Sequence, residues 1–407
     1  MRVRRFHGVL ILAAAAISGW LLARFSIPKP IVSTRSPQLL TPGPWGQLEV
    51  TPITIAPPDD ILPIRDFEER GTHWIFGDIS TERLSEMLEL IKVPPRLRAQ
   101  MLSPAMLHDG TNGLEILPSP EVVFALPPAT RINLYRALKS RATDRSSLSF
   151  RIATKDFDER FGNAGLRPAT IARLRQMAAP YNDSLLFFEV PCLLSTLTDY
   201  DEKARLLKAL IAQQTMLLRL RVTPDSDART LAAYWGGAGL NTDLSALLES
   251  LKQVPGGASI DVIELLPPLP ASLLYTFEIP KNPLAGPVAI RNCHWTTLNF
   301  FRDIPDDHCG ETEYATARLQ SEYEPVTSEP HYGDLVLFGI GNAEALHSAV
   351  YLAAGIVYTK NGKSPILPWM LSTVNDLAAD YSFAAAEGEK VVISYYRHKA
   401  TTALQNP

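Results

Sequence analysis

The stretch GDLVLFGIGNAEALHSAVYLAAGIVYTKNG, residues 333–362, holds three runs rich in β-branched and aromatic residues, separated by glycine-containing segments. Such side chains pack well on a pleated sheet, so GDLVLFG, HSAVYLA and GIVYT are predicted to be strands. A further run, KVVISYY, covers residues 390–396 and is predicted to be the last strand. The last third of the chain is therefore expected to contain a sheet.

A short segment before these strands carries a cysteine and is predicted to be helical. It reads NCHWTTLNFF, residues 292–301, with Asn292 as the N-cap and Cys293 in the first turn. Another helix is predicted at about residues 368–381, before the last strand. Because a helix precedes a group of strands, we expect an α+β fold in which an antiparallel sheet packs on the cysteine-bearing helix.

The composition fits two folded units and argues against one class of partner. The chain has 407 residues, of which 46% are hydrophobic and 20% are charged, which is enough apolar material for one large core or two ordinary ones, with two as the working expectation. Its net charge is −4. Nucleic acid is therefore not an expected partner, since binding to a phosphate backbone relies on clustered lysine and arginine.

The N-terminus has the order of an export signal. Three arginines precede an uncharged run at residues 8–23, as in bacterial signals for transport across the inner membrane. Residues 1–25 are therefore predicted to be either a cleaved signal peptide or an uncleaved anchor in the inner membrane, and both interpretations stay open. The expected location is the periplasm or cell envelope, with residues 8–25 holding the protein on the membrane if they are not cleaved.

Prolines divide the rest of the chain. Residues 26–65 are proline-rich and predict an extended linker, with an irregular wrap over the folded body as the alternative. Residues 66–279 are predicted to form a mainly helical domain of unknown role, since Ser80 and Asp199 are good helix caps before apolar residues at helical spacing. No internal repeat at a fixed period is evident. Prolines near residue 280 mark the start of the last domain, residues 280–407.

Two residues of this last domain are suited to acyl transfer. A thiol attacks a carbonyl as the thiolate, which needs a lowered pKa and a neighbouring imidazole. Cys293 lies where the helix dipole favours negative charge, and His347 opens a strand from which a base can be presented. A third polar group is expected to orient the imidazole ring. Cys293 and His347 are therefore the candidate nucleophile and base.

The order of these features resembles the NlpC/P60 superfamily of papain-type cysteine hydrolases. In that family a cysteine lies at a helix start, a Gly-Asp strand follows and a histidine begins the next strand, as at Cys293, Gly333–Phe338 and His347. The resemblance covers about the last third of the chain and implies a Cys-His dyad with a third polar residue on the following strand. Thr359 is nearest to the usual position of that residue. Asn361, just beyond it, is the better acceptor, so both are candidates.

The resemblance implies a cell-envelope cysteine hydrolase that cleaves amide bonds in peptidoglycan peptides, while other acyl substrates, including esters and lipids, stay open. The chain departs from the family pattern at Asn292, where an aspartate usually precedes the cysteine. No metal or cofactor is expected. A zinc site built from Cys293–His294 and His308–Cys309 is disfavoured, because the side chains of adjacent residues diverge.

Two other interpretations fit parts of the pattern. The main alternative is a non-catalytic envelope protein that keeps the fold as a binding or scaffolding module. A transglutaminase-like enzyme needs an aspartate shortly after His347, and the nearest ones, Asp376 and Asp380, lie on a predicted helix, so it ranks lower. With Cys192 and Cys309 the chain has three cysteines in all, so a disulfide framework is not expected.

Overall fold

The computed structural model describes residues 31–32, 36–139, 150–241, 243–279, 289–341, 344–382 and 390–401. Within these ranges the chain is α+β, with antiparallel sheets and helices that pack on them. The predicted signal peptide or anchor, residues 1–25, lies outside the described residues. Of the helices that are described, none is long and apolar enough to cross a bilayer.

The proline-rich segment is part of a sheet rather than an extended linker. It contains β1 (Ile31–Val32), β2 (Gln38–Leu39) and β3 (Gln47–Ile55). β3 pairs along its whole length with the strand at Gln213–Val222. On the edge of β3 away from β10, β1 pairs as far as Ile53 and β2 pairs from Val50 onwards. Pro52 lies between these two short ladders, so neither of them needs the N–H that proline lacks. Leu48 of β3 is fully buried, so β3 belongs to the folded body. This corrects the prediction that this segment is an extended linker.

The next part of the chain contains the same order of elements twice. A short helix, α1 (Ile64–Arg70), precedes the first copy. The first copy consists of β4 (Trp74–Gly77), α2 (Thr81–Leu90), α3 (Pro95–Met101), β5 (Leu107–Gly110), β6 (Gly113–Ile116), α4 (Pro120–Ala125) and α5 (Pro128–Lys139). The second copy consists of β7 (Phe150–Ala153), α6 (Phe157–Gly162), α7 (Pro168–Met177), β8 (Ala179–Tyr181), β9 (Ser184–Phe187), α8 (Val190–Ser195) and α9 (Tyr200–Ile211). The two sheets have matching strand orders, β4-β6-β5 and β7-β9-β8, so a βααββαα unit is duplicated although the sequence shows no fixed period.

The segment at residues 66–279 was expected to be mainly helical, and the structure adds two three-stranded sheets to it. Their strands are three or four residues long and lie between helices, so the alternation of side chains is too short to stand out from helical periodicity. The predicted helix starts are confirmed. Ser80 accepts a hydrogen bond from the Arg83 N–H, and Asp199 accepts one from the Asp201 N–H.

A buried ion pair joins the two copies. Arg131, on α5, lies 3.1 Å from Glu189, just before α8, and both side chains are fully buried. Arg131 also donates hydrogen bonds to the carbonyl oxygens of Val123 and Met177. Since a buried charge is tolerated only when it is paired and hydrogen-bonded, this cluster fixes how the copies pack together.

After the duplicated unit the chain completes the sheet that contains β3. This part holds β10 (Gln213–Val222), α10 (Ala228–Trp235), α11 (Ser245–Lys252), β11 (Ala258–Asp261) and α12 (Pro268–Leu273). The sheet order is β1-β3-β10-β11, and β2 also pairs with β3.

The last part contains the predicted cysteine-bearing helix and the predicted strands. Its elements are α13 (Cys293–Leu298), α14 (Thr312–Glu322), β12 (Tyr323–Pro325), β13 (Leu335–Ile340), β14 (Glu344–Ala353), β15 (Ile356–Lys360), β16 (Trp369–Thr373), α15 (Val374–Ser382) and β17 (Val391–His398). They form one six-stranded sheet of order β12-β17-β13-β14-β15-β16. The strands predicted from the sequence correspond to β13, β14, β15 and β17 and are confirmed. The helix predicted at residues 368–381 is corrected at its start, because β16 pairs with β15 before α15 begins.

The helices α13 and α15 pack on opposite faces of this sheet. Side chains alternate between the faces of a strand. Val350 and Tyr358 lie in one apolar cluster with Trp295 of α13, whereas Val357 lies in another with Leu377 of α15. The sheet is therefore covered on both sides in the region of β14 and β15.

The six-stranded sheet also contacts the β3 sheet. The Thr215 hydroxyl, on β10, donates to the Leu371 carbonyl at 2.8 Å and accepts from the Leu371 N–H at 3.1 Å. One buried apolar cluster runs from Leu48 and Leu218 to Trp369. The C-terminal sheet thus shares its core with parts of the chain that come before residue 280.

Candidate active site

Cys293 lies in the first turn of α13, as the sequence predicts. The side chain of Asn292 accepts a hydrogen bond from the Trp295 N–H at 2.9 Å, which caps the helix. Its amide nitrogen donates to the Gly310 carbonyl at 2.9 Å and ties the cap to the following loop. Cys293 itself is only 6% exposed.

The Cys293 thiol is buried, and Ser348 lies beside it. Burial raises the pKa of the Cys293 thiol above its usual value, and hydrogen bonds from the backbone and side chain of Ser348 oppose this rise. Ser348 directly follows His347 on β14. The sulfur is therefore held beside the residue that follows the candidate base.

His347 is fully buried on β14. Its ring centroid lies 5.7 Å from that of Phe338, its cross-strand neighbour on β13. Burial, with a smaller contribution from His294, lowers the pKa of His347 to about 3. The imidazole is therefore neutral at physiological pH, which is the form that accepts a proton.

Thr359 holds one nitrogen of the His347 ring. Thr359 Oγ1 lies 2.8 Å from His347 Nε2 and 3.2 Å from the Ser348 carbonyl oxygen. Its single proton can go either to the Ser348 carbonyl, with Nε2–H donating to Thr359, or to an unprotonated Nε2. In both cases the hydroxyl fixes the orientation of the ring.

The other ring nitrogen contacts a residue that the sequence did not single out. The Tyr381 hydroxyl, on α15, lies 3.0 Å from His347 Nδ1, and the two rings stack with centroids 4.7 Å apart. The only sequence signal for it was its place on the helix predicted after the base-bearing strand.

The His347 side chain and the helix that carries Cys293 lie on opposite faces of the C-terminal sheet. The Ser348 side chain points towards α13, where it contacts His294 at 3.0 Å and Thr297 at 3.1 Å. The His347 side chain points towards α15. Within the described part of the chain no hydrogen bond joins the Cys293 sulfur to the His347 ring, so the dyad stays a prediction.

Asn361, the second candidate for the third catalytic residue, lies two residues after Thr359. The side-chain oxygen of Asn361 is buried and has no hydrogen-bond partner among the described residues. If the register of β14 and β15 continued beyond Val350 and Tyr358, Asn361 would lie opposite His347. Of the two candidates left open by the sequence, only Thr359 is hydrogen-bonded to the ring.

Lys360 is a further buried polar residue near the thiol. Burial lowers its pKa to about 8, while the charges of Glu278 and Cys293 act in the opposite direction. Its ammonium group donates to the carbonyl oxygens of Gly362 and Ser364 and lies 5.4 Å from the ring centroid of Trp369. It adds positive charge on the α13 side of the sheet.

The residues considered for a zinc site and for a transglutaminase-like enzyme have other partners in the structure. His294 contacts Ser348, whereas His308 contacts Glu311, and no group of three metal-binding side chains occurs among the residues that are described. Asp376 bonds to Thr373, and Asp380 bonds to Arg151 in the second copy of the repeat.

The remaining cysteines are buried and unpaired with one another. Arg318 donates to the Cys309 sulfur at 3.3 Å. Burial raises the pKa of Cys309, and it raises the pKa of Cys192 to about 12. Both thiols can therefore serve as internal references for the reactivity of Cys293.

Comparison with known proteins gave no relative: no family model, curated protein or solved structure matches the chain. The resemblance to NlpC/P60 hydrolases accordingly rests on the sequence motifs alone.

Proposed function

We propose that the protein is a cell-envelope cysteine hydrolase that cleaves amide bonds in peptidoglycan peptides. One observation supports this most directly. Cys293 lies in the first turn of a capped helix beside Ser348, and Ser348 directly follows His347, whose Nε2 lies 2.8 Å from the Thr359 hydroxyl. The substrate class and the location come from the motif resemblance and the N-terminal export pattern.

In the proposed reaction the His347 imidazole removes the proton of the Cys293 thiol, and the thiolate attacks the substrate carbonyl carbon. The imidazolium then gives that proton to the leaving amine as the C–N bond breaks and a thioester forms. A water molecule, deprotonated by the imidazole, hydrolyses the thioester and regenerates the thiol. Thr359 orients the ring through its contact with Nε2.

The resting pair is neutral in this scheme. Burial raises the pKa of the thiol and lowers that of the imidazole, so the proton stays on sulfur until an electrophile, either the substrate or an alkylating reagent, reacts there. A neutral imidazole remains competent as a general base. The Ser348 hydrogen bonds favour the thiolate once the proton has moved.

A non-catalytic binding module is the second candidate, and one observation favours it. His347 is fully buried and both of its ring nitrogens already have protein partners. A side chain in that position can be a satisfied core histidine.

Alkylation of the cysteines distinguishes the two functions. Purified full-length protein is treated with iodoacetamide at mildly acidic pH, and modification of each cysteine is followed by peptide mass spectrometry. A hydrolase is expected to modify Cys293 faster than Cys309 and Cys192, and His347→Ala should remove that advantage. His347→Gln is the matched control, since it keeps a polar side chain at this position but has no base.

Equal rates at Cys293 and Cys309, unchanged by His347→Ala, would favour the binding module instead. Cleavage of peptidoglycan peptides by the wild type and not by Cys293→Ala would then identify the substrate class.

A further inference from the structure

Cys293 shares its side of the C-terminal sheet with a histidine other than His347. His294 directly follows Cys293 on α13, and its Nδ1 lies 3.0 Å from the Ser348 hydroxyl of β14. The backbone and the side chain of Ser348 also hydrogen-bond to the Cys293 sulfur. We infer that the Ser348 hydroxyl relays the thiol proton of Cys293 to His294. The inference rests on the proposed function, because the relay matters only if Cys293 is the nucleophile.

The groups of this relay are packed together on one side of the sheet. Ser348 is fully buried and Cys293 is only 6% exposed. Thr297, one turn after Cys293 on α13, lies 3.1 Å from the Ser348 hydroxyl and donates to the His294 carbonyl oxygen at 3.2 Å. Thr297 therefore holds Ser348 against α13, and a proton can pass from Cys293 to His294 without crossing the sheet.

The transfer moves two protons and leaves the hydroxyl intact. The thiol proton of Cys293 passes to Ser348 Oγ while the hydroxyl proton of Ser348 passes to His294 Nδ1. The step starts from the neutral ring that has its hydrogen on Nε2, since Nδ1 can then accept. It ends with a thiolate and an imidazolium. Because an imidazolium only donates, the hydrogen bonds then run from Nδ1–H to Oγ and from Oγ–H to the sulfur.

His294 is suited to receive this proton. Its side chain is partly buried, and burial lowers the pKa of its ring, so the imidazole is neutral at physiological pH. Among the described residues no side chain or backbone group hydrogen-bonds to its Nε2. After the transfer, Nε2–H can therefore exchange its proton with water or with a bound substrate.

The test is the rate of Cys293 alkylation by iodoacetamide in the purified full-length protein. It compares wild type with Ser348→Ala, His294→Asn and the double variant. Asparagine keeps a polar group near the position of Nδ1 but cannot hold the proton, so it separates a relay from a hydrogen bond that only supports the fold. Each single variant is expected to slow Cys293 at least about tenfold. The double variant should be no slower than the slower single variant, since both changes interrupt one path.

Ser348→Thr provides the rescue, because it keeps the hydroxyl and should retain most of the wild-type rate. His308→Asn is the matched control. It removes the histidine next to Cys309, which contacts Glu311 and not Ser348, and should leave the rate at Cys293 unchanged. The rates at Cys309 and Cys192 should stay unchanged in the Ser348 and His294 variants, which reports on intact folding.

The dependence of the rate on pH gives a readout that a supporting role would not change. Without an internal acceptor a thiol reacts as the thiolate formed with solvent, so the rate in His294→Asn should rise about tenfold from pH 7 to pH 8. The wild-type rate should rise less, because the neutral imidazole is already present. Lys360, Tyr381 and His347 act electrostatically on Cys293 or His294, and Asp307 lies beside α13. These groups are the same in both proteins.

Wild-type rates in Ser348→Ala and His294→Asn, with His347→Ala slow, would overturn the relay and leave the proposed function standing. Equal pH dependence in wild type and His294→Asn would also overturn it, as would a double variant that loses the product of the two single effects. If Cys293 of the wild type reacts no faster than Cys309, the proposed function itself fails and the relay fails with it.

Discussion

The hydroxyl of Thr359 contacts both the His347 ring and the Ser348 carbonyl, and no sequence motif records these two contacts. Sequence reasoning placed both Thr359 and Asn361 on the strand after the base, and the structure bonds only the threonine to the ring. It did not find Tyr381, since a tyrosine on an amphipathic helix usually just covers a sheet. Which side chains contact His347 depends on how β14, β15 and α15 pack together, and the spacing of apolar residues in the sequence does not give this information.

The buried imidazole predicts a specific dependence of stability on pH. The pKa of His347 is about 3 when folded and about 6.5 in an unfolded chain. As the pH falls below about 6.5, the unfolded state binds a proton that the folded state does not, so stability is lost with decreasing pH. Between pH 7.5 and pH 5 we expect a loss of about 2 kcal/mol from this residue.

Urea denaturation of wild type and His347→Gln at both pH values measures this contribution. The glutamine variant lacks the titrating group, so its stability should depend less on pH by about that amount. The interpretation fails if the two proteins lose the same stability over this range.

Among the elements, α13 depends most clearly on one side chain. Asn292 caps the helix by accepting from the Trp295 N–H and also donates to the Gly310 carbonyl. Asn292→Ala removes both hydrogen bonds and is expected to lower the free energy of unfolding by about 1–2 kcal/mol. Asn292→Asp keeps the acceptor at the helix start and should lose less.

Chemical denaturation of the two variants against wild type checks the cap. An Asn292→Asp variant that is destabilised as much as Asn292→Ala would show that the contact with Gly310, rather than the cap, provides the stability.

The sequence predicted the elements of the C-terminal sheet better than those of the rest of the chain. The runs that became β13, β14, β15 and β17 are long and rich in β-branched residues, so their signal is strong. β3 was missed because its segment is rich in proline, although Pro52 falls between two ladders where its missing N–H is tolerated. The small sheets of the repeat were missed because strands of three or four residues give too few alternations to count.

At the scale of the whole molecule, the predicted boundary near residue 280 does not separate two cores. Trp369 and Leu371 of β16 lie in one buried cluster with Leu48, Leu218 and Trp235. Backbone contacts cross the boundary too. The Tyr275 N–H donates to the Trp369 carbonyl at 2.8 Å, and the Trp369 N–H donates to the Thr276 carbonyl at 3.1 Å. The part of the chain after residue 280 therefore takes some of its apolar core from earlier strands.

A fragment of residues 280–407 is therefore expected not to fold cooperatively by itself. It lacks β3, β10 and α10, so Trp369 and Leu371, at most 1% exposed in the whole chain, would face water along an unpaired sheet edge. The fragment should bind a hydrophobic dye and show no sharp unfolding transition, whereas residues 36–407 should unfold cooperatively. Co-expression with residues 36–279 should restore a soluble complex, because it returns the missing half of the core. A cooperative transition and well-dispersed amide signals from the isolated fragment would contradict the shared core and make the last domain an independent unit.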